Sequence, residues 1–499
     1  MEVKNVFQVI NEDILNHQTE ALVIGLFEEN KHEQNEYQLL NERMSEQLDE
    51  LVQAGDLSYT FGSVSKIHTL NQLTAKRIYV IGMGKREELN VDKLRKSFGR
   101  LFKQLKKDRI NEISISWDSF LSTKSFDYVE AVGEALAMAP YKLETYHTKD
   151  KEEVVELEKL TMITGLEEEL VLKALDTGFA LGNGTNIARH LVNLPSNILT
   201  ASELASFSIN IAEKHGLEID VFDKKDIEDL GMGALLAVNQ GSEEPPRFIV
   251  MKYQGKATWE DPIALVGKGI TFDTGGYSIK PKDGIVGMKM DMGGAASVLG
   301  AMDAIGAVKP EENVIALIPS TDNMISGSAF KPDDVIVSMS GKTIEIRNTD
   351  AEGRLALADA ITYARQQGAS RIIDVATLTG GVVVALGDEM TGAMTNNNDW
   401  LEEVTKASEQ VGELIWELPY NDVFKKKVRT SHIADLNNSP GRKGHAVLAG
   451  AFVGDFAEDT PWVHLDIAGT AMSEGEHDLG PKGPTGSMVR TLAKTIMNR

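Results

Sequence analysis

The hydrophobic and polar residues of this chain form short apolar runs that alternate with longer amphipathic stretches. Apolar runs of about 4–8 residues are typical of buried strands, whereas apolar residues spaced three or four apart are typical of helices. In the first part of the chain, the pattern predicts strands at residues 21–27, 77–81, 112–117 and within 154–164. Between these strands it predicts helices at residues 42–54, 91–107 and 128–139. This order predicts a mostly parallel sheet with helices on its faces.

A stretch rich in Glu, Leu and Ala at residues 166–192 predicts a long connecting helix. It ends before Pro195, because proline cannot continue a helix. The alternation then resumes. Further strands are predicted at residues 248–253, 262–271, 313–319, 342–347, 371–376 and 462–467, and further helices at 202–215, 293–308 and 355–367.

The elements predict an α/β protein of two domains. A smaller N-terminal α/β domain at residues 1–165 would serve assembly or regulation, and the helix at 166–192 would connect it to the rest. Residues 193–499 would form a larger catalytic α/β domain with a mostly parallel, doubly wound sheet. The length of 499 residues supports this division, because it is too great for one hydrophobic core.

The composition argues against several classes of partner and of active site. The formal net charge of -24 argues against a nucleic-acid or anionic-membrane partner. The absence of cysteine excludes disulfides, thiolate metal sites and a cysteine nucleophile. The sequence shows no apolar signal segment and no run of about 18 apolar residues. We therefore expect a cytoplasmic protein without a membrane partner.

Two glycine-rich segments, residues 266–291 and 348–355, concentrate charged side chains that suit metal-dependent chemistry. They contain four acids, two lysines and one arginine: Asp273, Asp291, Asp350, Glu352, Lys268, Lys280 and Arg354. Asp273 and Asp350 both follow predicted strands, and doubly wound sheets bind ligands beyond the carboxyl ends of their strands. Carboxylates without neighbouring histidine or cysteine indicate hard divalent cations, so the segments predict a two-metal hydrolase.

In the second segment, Asp350 and Glu352 are two residues apart, and in an extended chain their side chains face the same side. Arg354 follows at the start of a predicted helix, where its guanidinium and the helix N-terminus would attract an anion. The alternative is an N-terminal capping segment with Asp350 as the cap.

In the first segment, Lys268 can bind a metal as the neutral amine, because burial and a nearby cation both lower the pKa of a lysine. The alternative is an ion pair with Asp273. These two residues are five apart, so the strand must bend for both to reach one site, and nearby glycines permit a bend. Lys280 can polarise a carbonyl or stabilise an oxyanion, or it is a surface lysine. Asp291 can bind a metal or cap the helix predicted after it.

With these motifs the sequence resembles the leucyl (cytosol) aminopeptidase family of metallopeptidases. NTDAEGRL at residues 348–355 is the family's most specific motif, and VGKGITFDTGGYSIKP (266–281) and MKMDMGGAA (288–296) match its preceding blocks. ARHLVNLPSNILT (188–200) and WVHLDIAGTA (462–471) match flanking blocks. The resemblance is strong from about residue 180 to the end and covers the N-terminal region only in general layout.

The resemblance implies an aminopeptidase that releases N-terminal leucine and other apolar residues from peptides. It implies two divalent ions, Mn²⁺ or Zn²⁺, between which this set of ligands does not choose sharply. Lys268, Asp273, Asp291 and Glu352 would hold one ion, and Asp273, Asp350 and Glu352 would hold the other. The free α-amine of the substrate would bind one of them.

By the same resemblance, Lys280 and Arg354 would be catalytic, with a bicarbonate at Arg354 as the general base. The pocket for the first side chain would be lined by Met288, Thr377, Gly380 and Ala468. A homohexamer is also implied. Tyr277 and His445 replace residues that are commonly small in the family, and this affects the expected substrate preference rather than the chemistry.

Other enzyme classes fit less well. Asp-Thr-Gly occurs at residues 176–178 and 273–275, but an aspartic protease needs both copies in an all-β fold, and the first lies in a predicted helix. The serine-hydrolase pattern G-x-S-x-G and the zinc pattern H-E-x-x-H are absent. A two-metal phosphoesterase is the main chemical alternative, although such sites commonly include histidine. A second, DNA-binding regulatory role, known for some relatives, is weakened by the acidic charge.

Overall fold

The computed structural model describes residues 6–29, 34–120, 125–148 and 157–499. The chain divides into two units, one of Met1–Gly182 with Glu476–Pro481 and one of Asn183–Gly475 with Lys482–Arg499. In each unit strands alternate with helices, and most strand pairs are parallel. The predicted α/β fold class is confirmed.

The first unit contains strands β1 (Phe7–Ile10), β2 (Ala21–Phe27), β3 (Val64–His68), β4 (Arg77–Gly84), β5 (Glu112–Ser116) and β6 (Lys159–Ile163). Its helices are α1 (Asn35–Arg43), α2 (Gln47–Ala54), α3 (Val91–Lys107) and α4 (Phe126–Met138). The strand order is β1-β6-β5-β2-β4-β3. The strand predicted within 154–164 is β6, and residues 154–156 lie outside the described residues.

The helix predicted at residues 42–54 is wrong in its extent, because the structure has two helices, α1 and α2, in this region. Ser45 (φ 55) and Glu46 (φ 64) adopt the left-handed backbone conformation, which a continuous right-handed helix excludes. Both helices bury apolar residues, such as Leu40 and Leu48, so the hydrophobic spacing continues across the break and does not reveal it.

Helix α5 (Glu168–Asn193) occupies the stretch predicted as a long helix. The strands that follow are β7 (Glu218–Phe222), β8 (Arg247–Gln254), β9 (Ile263–Gly267), β10 (Gly269–Asp273), β11 (Asn313–Asn323), β12 (Val335–Val337), β13 (Thr343–Glu345), β14 (Arg371–Ala376), β15 (Thr391–Thr395), β16 (Ile415–Glu417), β17 (Leu436–Asn437), β18 (Trp462–Asp466), β19 (Met472–Ser473) and β20 (Gly483–Pro484). The helices are α6 (Ala201–His215), α7 (Lys224–Asp229), α8 (Gly233–Asn239), α9 (Lys282–Ile285), α10 (Gly293–Val308), α11 (Gly353–Gln366), α12 (Gly380–Leu386), α13 (Asn398–Val411), α14 (Asp422–Lys427), α15 (His445–Gly454) and α16 (Val489–Met497).

Among the helices of the described residues, none combines the length and the apolar character needed to cross a membrane.

The second unit is built on a nine-stranded sheet with the order β16-β15-β18-β14-β9-β11-β8-β7, in which β10 also pairs with β11. Its central strands β18, β14, β9 and β11 are parallel neighbours. Ala264 and Val266 of β9 share a buried core with residues of α8, α11 and α15. On the opposite face, a Cβ at Gly267 would lie 2.7 Å from the Cα of Ala295 in α10. Helices therefore cover both faces, as a doubly wound sheet requires.

The strand predicted at residues 262–271 is divided at Lys268 into β9 and β10. The amide of Lys268 donates to the carbonyl of Val375 (3.0 Å), and its carbonyl accepts from the amide of Ala295 (2.8 Å). β10 continues the pairing along β11, which runs to Asn323 and is therefore longer than predicted. The division supplies the bend that Lys268 and Asp273 need to reach one site.

The first turn of α10 packs directly on the backbone of the sheet. A Cβ at Gly294 would lie 2.0 Å from the carbonyl oxygen of Val375. The same oxygen accepts the hydrogen bond from the Lys268 amide. Position 294 thus requires glycine, because the backbone of α10 contacts the backbone of β14 there.

We predict that Gly294→Ala lowers the thermal unfolding midpoint, because the added methyl group overlaps backbone atoms that cannot move aside without disturbing β14. Overpacking of this kind costs about 1–3 kcal/mol. Gly327→Ala is the control, since a Cβ at Gly327 would meet no atom within 4 Å. Thermal unfolding followed by circular dichroism measures both variants, and equal midpoints would contradict the close contact.

Candidate functional site

Three carboxylates converge at the carboxyl-terminal end of the central strands of the second unit. Asp273 is the last residue of β10, and Asp350 and Glu352 lie in the turn before α11. One oxygen from each of these side chains lies within 4.8 Å of the other two. The local chain is a turn rather than the expected extended segment, since Glu352 already has helical angles (φ -77, ψ -39). The turn, and not strand alternation, brings Asp350 and Glu352 together.

Lys268 connects the fourth acid to this group. Its Nζ lies 2.7 Å from Asp291 Oδ1 and 3.0 Å from Glu352 Oε1. Lys268 therefore pairs with these acids rather than with Asp273. The side chain runs past the start of α11, where a Cβ at Gly353 would lie 2.4 Å from the Lys268 Cε. The glycine of the NTDAEGRL motif thus makes room for the lysine.

Lys280 connects the remaining pair of acids. Its Nζ lies 2.7 Å from Asp273 Oδ2 and 2.6 Å from Asp350 Oδ1. Its side chain is 17% exposed, so it is a partly buried residue of the cluster and not a surface lysine. The structure thus brings all five predicted metal ligands and Lys280 together.

Burial and the neighbouring charges have opposite effects on the pKa values of this cluster. Burial raises the pKa of Asp273 to about 6, and it also raises the pKa of Asp291. Burial would raise the pKa of Glu352 too, but Lys268 and Lys280 outweigh it, and the pKa of Glu352 is lowered. Burial opposes the charge of both lysines, yet the surrounding carboxylates raise the lysine pKa values. The two lysines thus favour the ionised form of these acids, and burial opposes it.

Apart from Asp350 Oδ1, which lies beside Lys280, two carboxylate oxygens of the cluster lack a hydrogen-bond partner in the described part of the chain. These oxygens are Asp291 Oδ2 and Glu352 Oε2, and both are buried. An unsatisfied buried polar atom costs about 1–3 kcal/mol, and more when the group is charged. Oxygen-rich sites with an added amine are suited to divalent cations. The residues therefore fit the two-metal centre that the sequence predicts.

Asn323 supports the cluster and was missed by the sequence reasoning. Its amide nitrogen donates to Asp273 Oδ1 (2.9 Å) and to the carbonyl of Thr349 (3.0 Å). Thr349 Oγ1 in turn donates to the carbonyl of Gly275 (2.6 Å), and Gly275 has a left-handed φ of 85. The two glycine-rich segments are thus joined through one amide. The available signal was its position at the end of an apolar strand, since doubly wound sheets bind ligands at that end of their strands.

Asn438 is a second support that no pattern in the sequence marks. Its Oδ1 accepts from the amides of Arg347 (2.8 Å) and Asn348 (3.3 Å), and its Nδ2 donates to the carbonyl of Asn348 (2.7 Å). Its own carbonyl accepts from Arg354 Nη1 (2.7 Å). One residue therefore fixes both the start of the second motif and its arginine.

Arg354 lies in the first turn of α11 and is 2% exposed. Burial lowers its pKa to about 10. Its Nε is buried and has no hydrogen-bond partner within the described ranges. A buried guanidinium at a helix N-terminus with a free donor can bind an anion, as the sequence predicts.

The four predicted pocket residues lie on segments next to the cluster. Thr377 Oγ1 donates to Asp291 Oδ1 (2.8 Å). Met288 begins the short 3-10 helix that also contains Asp291. Gly380 begins α12, where an added Cβ would meet no atom within 4 Å. Ala468 is half-buried in the loop after β18. β14 and β18 are parallel neighbours, so the loops that follow them leave the same end of the sheet.

The two departures from the family pattern have different surroundings. Tyr277 is 49% exposed, and its hydroxyl donates to the carbonyl of Ser326 (2.9 Å). His445 begins α15, and burial, assisted by Arg354 and Arg442, lowers its pKa to about 4. The imidazole is therefore neutral near pH 7. Neither residue is part of the acidic cluster.

The structure also argues against the aspartic-protease alternative. The first Asp-Thr-Gly copy, at residues 176–178, lies within α5. The second, at residues 273–275, ends a strand of a mostly parallel sheet. Neither context is the all-β fold that this class needs.

Comparisons with known proteins agree with these features. Residues 186–493 match the cytosol aminopeptidase family, catalytic domain, and residues 23–150 match its N-terminal domain. The structure is similar to a mutant of tomato leucine aminopeptidase, with 30% identity, a TM-score of 0.87, and coverage of 99% of this chain and 97% of that chain. It is also similar to bottromycin maturation enzyme BotP (29% identity, TM-score 0.82) and to BotP in complex with Mn (28% identity, TM-score 0.83). Each BotP comparison covers 96% of this chain and 99% of that chain.

We predict that Asn438→Ala lowers the thermal unfolding midpoint more than Asn437→Ala does. Loss of Asn438 Oδ1 removes the acceptor from two backbone amides, and each buried donor left unpaired costs about 1–3 kcal/mol. Asn437 is a matched control, because it is also buried and its amide donates to Thr430 Oγ1 (3.2 Å), away from residues 348–355. Equal shifts in calorimetry would refute a special role for Asn438.

Proposed function

The chain belongs to the cytosol aminopeptidase family, and from this premise we propose that it releases N-terminal leucine and other apolar residues from peptides with the help of two metal ions. Membership makes the protein a metal-dependent, hydrolytic aminopeptidase that acts on peptides. The observation that supports the two-metal mechanism is the cluster of Asp273, Asp291, Asp350 and Glu352, in which buried oxygens of Asp291 and Glu352 have no hydrogen-bond partner in the described part of the chain.

We assign one ion to Lys268, Asp273, Asp291 and Glu352, and the other to Asp273, Asp350 and Glu352. Mn²⁺ and Zn²⁺ both accept oxygen and amine ligands. When bound, such a pair lowers the pKa of a water molecule and polarises the scissile carbonyl. Lys268 must lose its proton to bind a metal, so we expect metal binding to release protons.

Lys280 and Arg354 carry the remaining chemistry in this proposal. Lys280 is a charged, partly buried donor beside Asp273 and Asp350, where it can stabilise the oxygen that gains negative charge. Arg354 and the first turn of α11 would hold a bicarbonate, whose chemistry there is proton transfer as a general base. The free donor on Arg354 Nε is the support for that anion.

The preference for leucine rests on the pocket. We place Met288, Thr377, Gly380 and Ala468 around the first side chain of the substrate. Open space at Gly380 and the small side chain of Ala468 leave volume for an apolar residue. We further propose that the protein acts in the cytoplasm. We also propose that it forms a homohexamer, which rests on the resemblance of its sequence to the family and is checked by light scattering.

We predict that the protein cleaves leucine p-nitroanilide but not its N-acetylated form. Chelation should abolish cleavage, and added Mn²⁺ or Zn²⁺ should restore it, because the substrate amine needs a metal to bind. Absorbance of released nitroaniline measures the rate, and metal analysis gives the ions bound per subunit. Cleavage of p-nitrophenyl phosphate but not of the anilide would support the phosphoesterase alternative instead. No cleavage by folded, metal-loaded protein would refute the proposal.

We predict that Lys280→Met lowers kcat for leucine p-nitroanilide by about 10²–10³-fold, the usual effect of losing one donor to a developing oxyanion. Lys282→Met is the matched control, since Lys282 is an exposed lysine two residues further along the same segment. Metal content should be the same in both variants. An unchanged kcat, or a loss of activity explained by loss of metal, would contradict the role of Lys280.

A further inference from the structure

A buried acid outside the metal cluster lies between the two loops that carry three of the pocket residues. Asp466 ends β18, opposite Ala376 at the end of β14, and its exposure is 0%. Thr377 and Gly380 follow β14, and Ala468 follows β18. Because the two strands are parallel neighbours, both loops begin beside Asp466.

The Asp466 carboxylate accepts hydrogen bonds from both loops. Its Oδ1 accepts from the amides of Leu378 (3.1 Å), Thr379 (3.4 Å) and Ala468 (3.2 Å). Its Oδ2 accepts from Thr379 Oγ1 (2.8 Å). Thr379 Oγ1 also accepts from the amide of Val382 (3.1 Å) and so caps α12. Because its two oxygens accept from residues of both loops, this side chain connects the loops to each other.

The first loop is also attached to the metal cluster. The carbonyl of Thr377 accepts from Lys268 Nζ (3.0 Å), and its hydroxyl donates to Asp291 Oδ1 (2.8 Å). The loop is therefore held by two predicted metal ligands at Thr377 and by Asp466 one residue later.

The second loop is close-packed on the end of α12. A Cβ at Gly469 would lie 2.2 Å from the carbonyl oxygen of Gly387. Movement of the loop after β18 toward α12 is therefore blocked by backbone. The hydrogen bonds of Asp466 join the same loop to the loop after β14.

We propose that Asp466 is a positioning residue for substrate specificity, which acts with Thr379 to set the width of the pocket between the loops after β14 and β18. It touches no reacting atom and binds no metal in this assignment. The inference rests on the proposed function, because it takes these loops to surround the first side chain of the substrate.

The test compares Asp466→Asn, Thr379→Val and Thr379→Ser. Asparagine keeps the shape of Asp466 but places a donor or a weaker acceptor against the loop amides. Valine removes the Thr379 hydroxyl and serine restores it. Thr395→Val is the matched control, because Thr395 is a buried threonine of β15 whose hydroxyl donates to the carbonyl of Trp462 (2.6 Å), at the far end of the same strand β18.

Each variant is measured with the p-nitroanilides of leucine, alanine and phenylalanine under saturating Mn²⁺, with metal content determined in parallel. We expect Asp466→Asn and Thr379→Val to lower the ratio of kcat/KM for leucine over alanine by about tenfold, within the range that pocket contacts with small apolar groups control. The change should lie mainly in KM. Thr379→Ser should restore the wild-type ratio, and Thr395→Val should keep it.

A uniform loss of kcat/KM on all three substrates would show a merely structural role and overturn the inference, as would an unchanged ratio. If Asp466→Asn does not fold, the contrast between Thr379→Val and Thr379→Ser decides the question alone. Wild-type protein that fails to cleave any free-amine substrate would refute the proposed function, and the inference with it. Normal wild-type cleavage with unaltered selectivity in the variants would refute the inference only.

Discussion

The site depends on the balance between buried carboxylates and the positive charge that compensates them. Four acids lie close together, and an uncompensated charge in the interior is costly enough that the group would give up its ionisation. Lys268 and Lys280 each lie between two of these acids. The lysines therefore compensate the negative charge of the buried carboxylates, as divalent ions at the same place would.

This balance has a chemical consequence. Lys268 compensates the acids as a cation but can bind a metal only after losing its proton. If Lys268 is a metal ligand, as we propose, a doubly charged ion held by Lys268, Asp273, Asp291 and Glu352 would supply more positive charge than the lysine would give up with its proton. Asp291 Oδ2 and Glu352 Oε2, which lack a hydrogen-bond partner in the described residues, are oxygens that the lysines leave unused.

Sequence patterns predicted the elements and the charged residues, because both are local properties. Buried strands correspond to apolar runs in the sequence, and the acids are concentrated in two glycine-rich motifs. What the sequence did not reveal depends on contacts between distant segments. The division of a predicted strand at Lys268 follows from hydrogen bonds to Val375 and Ala295. Asn323 and Asn438 act through backbone groups of another segment, and no periodicity marks an amide for that role. The convergence of Asp350 and Glu352 was expected for the wrong local reason, since a turn produces it.

The supporting side chains share one physical task. The acids come from separate segments, and loops that meet at a sheet end have few backbone partners of their own. Asn323, Asn438 and Asp466 each connect backbone or side-chain groups of different loops, and a site is held to its geometry by such surrounding hydrogen bonds. Thr377 connects the metal cluster to Asp466. Thr377 itself forms hydrogen bonds with Lys268 and Asp291, and the amide of the residue that follows it donates to Asp466. If the loops after β14 and β18 surround the substrate's first side chain, as we propose, the metal centre and the pocket cannot move independently. Selectivity would then be set by the backbone positions that Asp466 fixes as much as by the side chains that line the pocket.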